Sequence, residues 1–449
     1  MTVQLRPYQE RAIAQLRAAY AAGRRAPCLV LPTGAGKTRV AAAVIAAAVQ
    51  RSKRILFAAH RTELIDQTVE KLAEAEVTDV RIIQADRNLG EASSPVTVAS
   101  IQTLTTDRWL GQLPTADLII LDECHHVSCD SWGRVVTAYP DALMMGLTAT
   151  PQRGDGQPLD TFDAMIVGAT VRELMDLGHL VRCRVWGGPP DLKRGQLALD
   201  PVAAYQQHGG DRLAIVFAAT VRHAHELVTS FRAAGIPSDV VIGTGSREAR
   251  RSSLDRFARG ETRVLVNVAV LTEGYDCPAA AVCILARRFA HAGAFLQAAG
   301  RVLRPAEGKS EALLIDLAGS VHEHGTPDID REYTLDGSGI AKAVRMAFRQ
   351  CPACGSVFRL AAMCPHCSAV LPVMPTRSPR SADIGVTELG SIRPPRPAFT
   401  VALLAKREGH CGRCKHWFAK GTPIYWARGE RARHQRCPVV VQPSTETTA

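Results

Sequence analysis

The segment Leu31-Pro-Thr-Gly-Ala-Gly-Lys-Thr38 holds the residue types that cradle a polyphosphate. It follows the apolar run Cys28-Leu-Val-Leu31 and opens a helical pattern over 38–50. In that setting Pro32, Thr33, Gly34, Ala35 and Gly36 form a loop whose backbone N–H groups and helix N-terminus receive phosphate oxygens. Lys37 then meets the β and γ oxygens, and Thr38 ligates Mg²⁺. Leu31 stands where the strict pattern has glycine. About 85 residues downstream, the apolar run Leu118-Ile-Ile-Leu121 ends in Asp122-Glu123-Cys124-His125. Open α/β sheets bind ligands at the C-terminal ends of their strands, so these acids are expected to face the loop. Asp122 is then the Mg²⁺ carboxylate and Glu123 the group that polarises an attacking water.

A second chemistry lies near the C-terminus. Cys351-Pro-Ala-Cys354 and Cys364-Pro-His-Cys367 are two C-x₂-C knuckles, and each puts two thiolates on one tight turn. Two knuckles complete a tetrahedron around Zn²⁺. The C-x-x-C redox reading lacks its βαβ context, and the motif occurs twice. Cys411, Cys414, His434 and Cys437 form a further C-x₂-C…H-x₂-C set, with His410 and His416 as substitutes, so two zinc ions are expected.

These groups need elements to hold them. Residues 54–58, 96–98, 118–121 and 143–147 join 28–31 as short buried runs, with helical patterns over 38–50, 63–75 and 131–138 between them. Strands alternating with helices predict an α/β fold with a parallel, doubly wound sheet. A second unit repeats the pattern, with strands at 213–217, 238–242, 264–267, 282–285 and 312–315. The expected domains are 1–186 and 211–335, joined by a Gly- and Pro-containing hinge over 187–210. A cysteine ribbon over 351–370, a Pro-rich linker over 371–400, a second metal module over 401–440 and a disordered tail over 441–449 follow.

Length and composition bound the rest. The 449 residues are 46% hydrophobic and 22% charged, which fits several globular domains and excludes a disordered or collagen-like chain. The longest apolar run, Val40 to Val49, is half of what a bilayer needs, and no secretory leader is legible. Cysteines scattered singly through the first 350 residues fit reduced thiols in the cytoplasm, so that compartment is expected and a membrane is not. The net charge of +11 is uneven: residues 351–449 contain 14 Lys or Arg against five acids. Two zinc sites lower that excess without abolishing it. With Trp417 and Trp426 interleaved, the tail is a candidate surface for a polyanion.

At this point the chain resembles a superfamily-two helicase of the DEAD/DEAH type, in motif order across residues 5–305. Leu5-Arg6-Pro-Tyr-Gln9 is similar to its adenine-reading motif, in which Arg6 and the Gln9 amide attend the base. Ala59-His-Arg61 to Gln67, Ser100-Ile-Gln102-Thr103, Leu147-Thr-Ala-Thr-Pro151 and Ala214 to Thr220 match its track-binding and coupling motifs. Val270-Leu-Thr272-Glu-Gly274-Tyr-Asp276 and Gln297-Ala-Ala-Gly-Arg301-Val-Leu-Arg304 match its last two.

The resemblance implies two tandem RecA-like domains with ATP and Mg²⁺ between them, Gly274 and Asp276 near the nucleotide, and His125 and Gln297 in the catalytic machinery. At least one of Arg301 and Arg304 acts as an arginine finger. It implies nucleic-acid contacts from Arg61, Ser100, Gln102, Thr103, Thr220 and Thr272. Within the superfamily the chain is similar to the RadD-like group and its XPB relatives, which implies a DNA helicase or translocase in repair or recombination, with repair proteins as partners through the tail. An RNA helicase, or a remodelling ATPase that separates no strands, carries the same motifs.

Overall fold

The computed structural model describes residues 4–60, 62–85, 87–126, 130–152, 157–189, 192–193, 195–271, 275–336, 348–359, 361 and 363–371, with the backbone of short segments between 401 and 434. The first lobe contains β1 (Pro27–Val30), β2 (Ile55–Ala59), β3 (Val80–Gln84), β4 (Arg87–Leu89), β5 (Val96–Ser100), β6 (Leu118–Asp122), β7 (Leu143–Thr148) and β8 (Ala164–Val167). They form one sheet in the order β4-β3-β5-β2-β6-β7-β1-β8. All described pairings are parallel except the β3–β4 hairpin. β1, β2, β5 and β6 are buried along their whole length, as expected where helices cover both faces of a parallel sheet. Helix α1 (Pro7–Ala21) buries Tyr8, Gln9, Ala12, Ile13 and Leu16, and α2 (Lys37–Val49) starts directly at the phosphate loop.

The second lobe is a six-stranded parallel sheet. It comprises β9 (Arg182–Gly187), β10 (Ala214–Ala218), β11 (Ser238–Val241), β12 (Val264–Asn267), β13 (Val282–Ala286) and β14 (Glu311–Asp316). Their order is β11-β12-β10-β13-β14-β9. β9 departs from the sequence reading, which gave these residues to the first unit. It pairs with β14 along six residues and so belongs to the second sheet. The expected hinge over 187–210 is likewise part of the second lobe: Val202, Ala204 and Tyr205 lie in the same apolar cluster as β10 and β13. The physical reason is edge chemistry. An edge strand is half covered, and Arg182-Cys-Arg-Val-Trp-Gly187 mixes arginine with apolar residues, which hides it from a search for apolar runs.

The lobes share one apolar cluster, which contains Tyr8 and Leu31 of the first, Leu180 between them, and Leu271 and Phe295 of the second. After β14 the chain returns to the first lobe, where the Leu159 N–H donates to the Leu335 carbonyl at 2.7 Å and the Arg172 N–H to Asp330 Oδ1 at 3.1 Å.

A ribbon follows, with β15 (Phe348–Gln350) antiparallel to β16 (Val357–Arg359). It docks on the free edge of β9: Ser356 bridges to Trp186, Ser356 Oγ donates to the Val185 carbonyl at 3.2 Å, and Gln350 Nε2 donates to the Gly187 carbonyl. Residues 374–449 form a separate unit in which Pro423–Trp426 pairs antiparallel with Val401–Leu404 and with Arg433–His434.

Candidate nucleotide site between the lobes

The phosphate loop turns through two left-handed glycines, Gly34 at φ +89° and Gly36 at φ +80°. The Ala35 carbonyl between them is gripped from behind by α1: Tyr8 Oη donates to it at 2.8 Å and Gln9 Nε2 at 3.0 Å. Gln9 Oε1 accepts the Arg6 N–H at 3.0 Å, which also caps α1, and Arg6 Nη1 reaches Tyr8 Oη at 3.3 Å. Both ends of the Gln9 amide are thus engaged within the chain, and its side chain is buried. In this structure the Gln9 amide is turned onto the phosphate loop.

β6 delivers the acids. Asp122 and Glu123 are both buried, and Lys37 Nζ lies 3.7 Å from Glu123 Oε1. Burial raises the Asp122 carboxyl above the ordinary aspartate range and the adjacent Glu123 raises it further, while Lys37 and His60 pull it down. A divalent cation held by Asp122 would offset this concentration of negative charge. Glu123 holds a φ of +49°, a conformation that costs a side-chain-bearing residue ~1–2 kcal/mol. The turn that imposes this φ is fixed by the Glu123 N–H, which donates to Asp122 Oδ1 at 3.0 Å. His125 Nδ1 lies 3.0 Å from Thr148 Oγ1 and 3.5 Å from Glu123 Oε2. Thr148 Oγ1 in turn donates to the Thr150 carbonyl at 3.0 Å.

The second lobe completes this set through the helix Ala292–Gly300 and the turn after it. Gln297 Nε2 lies 3.3 Å from Glu123 Oε2, and both side chains are buried. Arg304 lies over the phosphate loop: a Cβ added to Gly34 would come within 3.1 Å of Arg304 Cγ and 3.4 Å of its Nε. The Arg304 guanidinium is held by Asp276. Arg301 is buried, and its Nη1 donates to the Tyr275 carbonyl at 2.7 Å. Gly300 touches Thr33 so closely that a Cβ there would stand 2.6 Å from Thr33 Cβ. Acids from one lobe, an arginine from the other and a glycine-lined loop between them can bind a nucleoside triphosphate and hydrolyse its terminal phosphate.

The expected track contacts are divided. Gln102 is exposed; its Oε1 accepts from Ser100 Oγ at 2.7 Å and its Nε2 donates to the His60 carbonyl at 3.0 Å. Thr103 is buried, with its hydroxyl accepting the Ala85 N–H at 2.8 Å, and Thr220 caps the helix Val221–Ala233 through the His223 N–H at 3.1 Å. In both contacts the hydroxyl oxygen accepts, which leaves its own O–H to donate. Arg61, Thr272 and Gly274 lie outside the described residues, as do Cys411, Cys414 and Cys437 and the side chain of His434. Sequence reasoning missed Tyr8, His60, His126 and the glycine contacts, because nothing in their spacing reports a partner on another element.

The ribbon cysteines do converge. The Sγ atoms of Cys351, Cys354, Cys364 and Cys367 lie within 4.8 Å of one another. Cys351–Cys367 and Cys354–Cys364 stand at 3.6 and 3.7 Å. Zn–S bonds of ~2.3 Å set the edge of a tetrahedron at about 3.8 Å, whereas a disulfide would need ~2.05 Å. The two knuckles are alike: the Gly355 N–H donates to the Cys351 carbonyl at 2.8 Å and the Ser368 N–H to the Cys364 carbonyl at 2.9 Å. The donor set fits a tetrahedral, thiophilic metal.

Fold and site together define a two-lobed P-loop ATPase whose nucleotide is shared between RecA-like lobes. Comparison with known proteins agrees. Residues 2–153 match the family described as type III restriction enzyme, res subunit, and residues 198–306 match the helicase conserved C-terminal domain. A 51.5 kDa protein of a Lactococcus phage (isolate 7-9) is 29% identical over 363 residues, covering 75% of this chain and 76% of its own. The DNA 3'-5' translocase XPB2 of Sulfurisphaera tokodaii is 24% identical over 376 residues, covering 70% and 81%.

The fold is similar to that of the ATP-dependent Type ISP restriction-modification enzyme LlaBIII bound to DNA, with TM-score 0.55 and 16% identity. That match covers 70% of this chain and only 28% of the longer enzyme. The fold is also similar to that of S. cerevisiae Dbp5 bound to RNA and ADP BeF3, with TM-score 0.53, 16% identity and 72% and 92% of the two chains covered. The chain belongs to the superfamily-two helicases, ATP-dependent enzymes of nucleic acid, and XPB-type proteins are among its relatives. Among the described residues no helix is long and apolar enough to cross a membrane.

Proposed function

We propose that this chain couples ATP hydrolysis to movement along DNA, as a helicase or translocase working in repair or recombination. The observation that carries the proposal is the single site built from both lobes, with Gln297 against Glu123 and Arg304 over Gly34. Hydrolysis then requires the lobes to be closed, and opening after hydrolysis changes the spacing of two grips on a strand. In this reading Lys37, Thr38 and Asp122 hold Mg²⁺-ATP, and Glu123 polarises water with His125 and Gln297 orienting it. Arg304 is the arginine finger, worth ~10³–10⁵ in rate, and Arg301 braces its turn.

DNA as the track is supported by the DNA translocase among the relatives and by the basic excess of residues 351–449. That tail is also where repair proteins would dock. Cys351, Cys354, Cys364 and Cys367 hold one zinc ion, and Cys411, Cys414, His434 and Cys437 hold another. The free buried thiols of Cys28, Cys124, Cys277 and Cys283 support a reducing, cytoplasmic setting.

The test is ATP turnover by the purified chain, with Glu123→Gln as the blank, against no nucleic acid, single-stranded DNA, duplex, forked DNA and RNA. Stimulation by a DNA form is expected and names the track. Stimulation by RNA alone moves the function to RNA, and no stimulation by any of them removes the motor reading.

A further inference from the structure

His60, near enough to Asp122 to act on its carboxyl, and His126 lie between the nucleotide site and the exposed corner at Gln102. His60 follows β2 directly, and its carbonyl accepts the Gln102 amide at 3.0 Å. Gln102 is exposed and is bonded to Ser100, and both match motif positions that the resemblance expects to meet a strand. The His60 ring stands edge-on to His126, with centroids 5.1 Å apart at 60°. His126 packs on His125 at 4.2 Å and 40°. His125 Nδ1 reaches Thr148 Oγ1 and Glu123 Oε2 at 3.0 and 3.5 Å. Ser100, Gln102, His60, His126, His125 and Glu123 therefore form one unbroken series of contacts from the exposed corner to the hydrolytic carboxylate.

His60 Nδ1 and His126 Nε2 are buried, and the two half-buried rings pack against one another. His126 is also fixed to the acid turn, because its N–H donates to the Glu123 carbonyl at 3.1 Å. These contacts give a displacement of the His60 backbone a path to the turn that holds Glu123 in its left-handed conformation.

We infer that His60 and His126 are positioning residues that pass occupancy of the nucleic-acid track to Glu123, through contact between packed rings. The inference rests on the proposed motor function, and it separates two rates that a merely structural role would lower together: basal turnover and nucleic-acid-stimulated turnover.

The experiment uses the full chain and compares wild type with His126→Ala, His60→Ala, the double variant and His126→Phe, which keeps a ring in the stack. ATP turnover is measured alone and with saturating poly(dT), a blunt DNA duplex or poly(U), and binding of the stimulating polymer is measured by fluorescence anisotropy. The expected result for His126→Ala is basal turnover and polymer affinity within about twofold of wild type and stimulated kcat lowered ~5–20-fold. His126→Phe recovers most of the stimulation, and the double variant is no worse than the more affected single one, because the two rings act in series. Stimulation of His126→Ala equal to wild type overturns the inference. So does an equal fall of basal and stimulated turnover, or a His126→Phe chain as defective as His126→Ala. A wild-type chain that no polymer stimulates overturns the motor reading instead, and that arm is read before any variant.

Discussion

Gln297 Nε2 of the second lobe stands 3.3 Å from Glu123 Oε2 of the first, and both groups are buried. The contact spans 174 residues of chain and ties the carboxylate proposed to polarise water to the second lobe. Replacing Glu123 by Gln should lower kcat by at least ~10²-fold while nucleotide still binds, because the phosphate contacts are untouched. Gln297→Ala should lower kcat ~10–100-fold with a smaller change in KM for ATP. Steady-state kinetics on both variants, with nucleotide affinity measured separately, check the pair. Normal turnover in Glu123→Gln would remove Glu123 from its role.

Gln9 offers a sharper separation of two roles. Its amide is bonded to the Arg6 N–H and the Ala35 carbonyl, so its loss should loosen the phosphate loop whatever base the nucleotide carries. Breaking a buried hydrogen bond of this kind costs ~0.5–1.5 kcal/mol, so Gln9→Ala should raise KM about 2–10-fold for ATP and GTP alike. If KM rises for ATP and not for GTP, the amide reads adenine after all. Tyr8→Phe, which removes the other donor to Ala35, should give the same base-independent pattern.

Two glycines should respond oppositely to a methyl group. At Gly146, inside β7, a Cβ would stand 2.6 Å from Phe162 Cε1 and 2.8 Å from Cys124 Sγ, in a fully packed core. Gly146→Ala should cost ~1–3 kcal/mol of stability, read as a fall in Tm or denaturation midpoint. At Gly300 the Cβ would meet Thr33 at the lobe interface, 2.6 Å away, where the lobes can separate to relieve it. Gly300→Ala should leave Tm nearly unchanged, since alanine favours the helix, and lower kcat ~10–100-fold by holding Arg304 and Gln297 out of position. A Gly300→Ala enzyme with full activity would show that the closed contact with Thr33 is not needed for hydrolysis.

These contrasts show where sequence is informative. β1, β2, β5 and β6 are buried on both faces, so they read as unbroken apolar runs and were legible as strands. β9 and β8 lie at sheet edges and were not: β9 mixes arginine with apolar residues, and β8 is a four-residue run buried at only one position. The phosphate loop, Asp122-Glu123 and the ribbon cysteines were legible because their chemistry needs ligands close in sequence. The placement of Arg304 over Gly34, rather than Arg301, was not, because it depends on how two lobes meet. Thr103 and Thr220 match motif positions, and their hydroxyl oxygens also accept from a loop N–H and a helix N-terminus, contacts that only coordinates show.

The ribbon makes a prediction that joins metal, fold and edge protection. Its four thiols are spaced for a tetrahedral ion, and Ser356 and Gln350 cover the outer edge of β9 at Val185, Trp186 and Gly187. A ribbon this small has almost no core of its own, so metal binding supplies its folding free energy. Metal analysis of freshly purified protein should therefore find at least one zinc per chain, and less than one would remove the metal reading. Chelation, or the pair Cys351→Ser and Cys354→Ser, should unfold the ribbon and expose β9 as an unpaired edge. Hydrogen exchange should then rise in a peptide covering 182–187 and stay unchanged in peptides from β1 and β6, which lie inside the first sheet. Light scattering should report self-association through the exposed edge on the same timescale. If the β9 peptide exchanges equally with and without metal, the ribbon is not what protects that edge, and its docking on Trp186 contributes nothing to the second lobe.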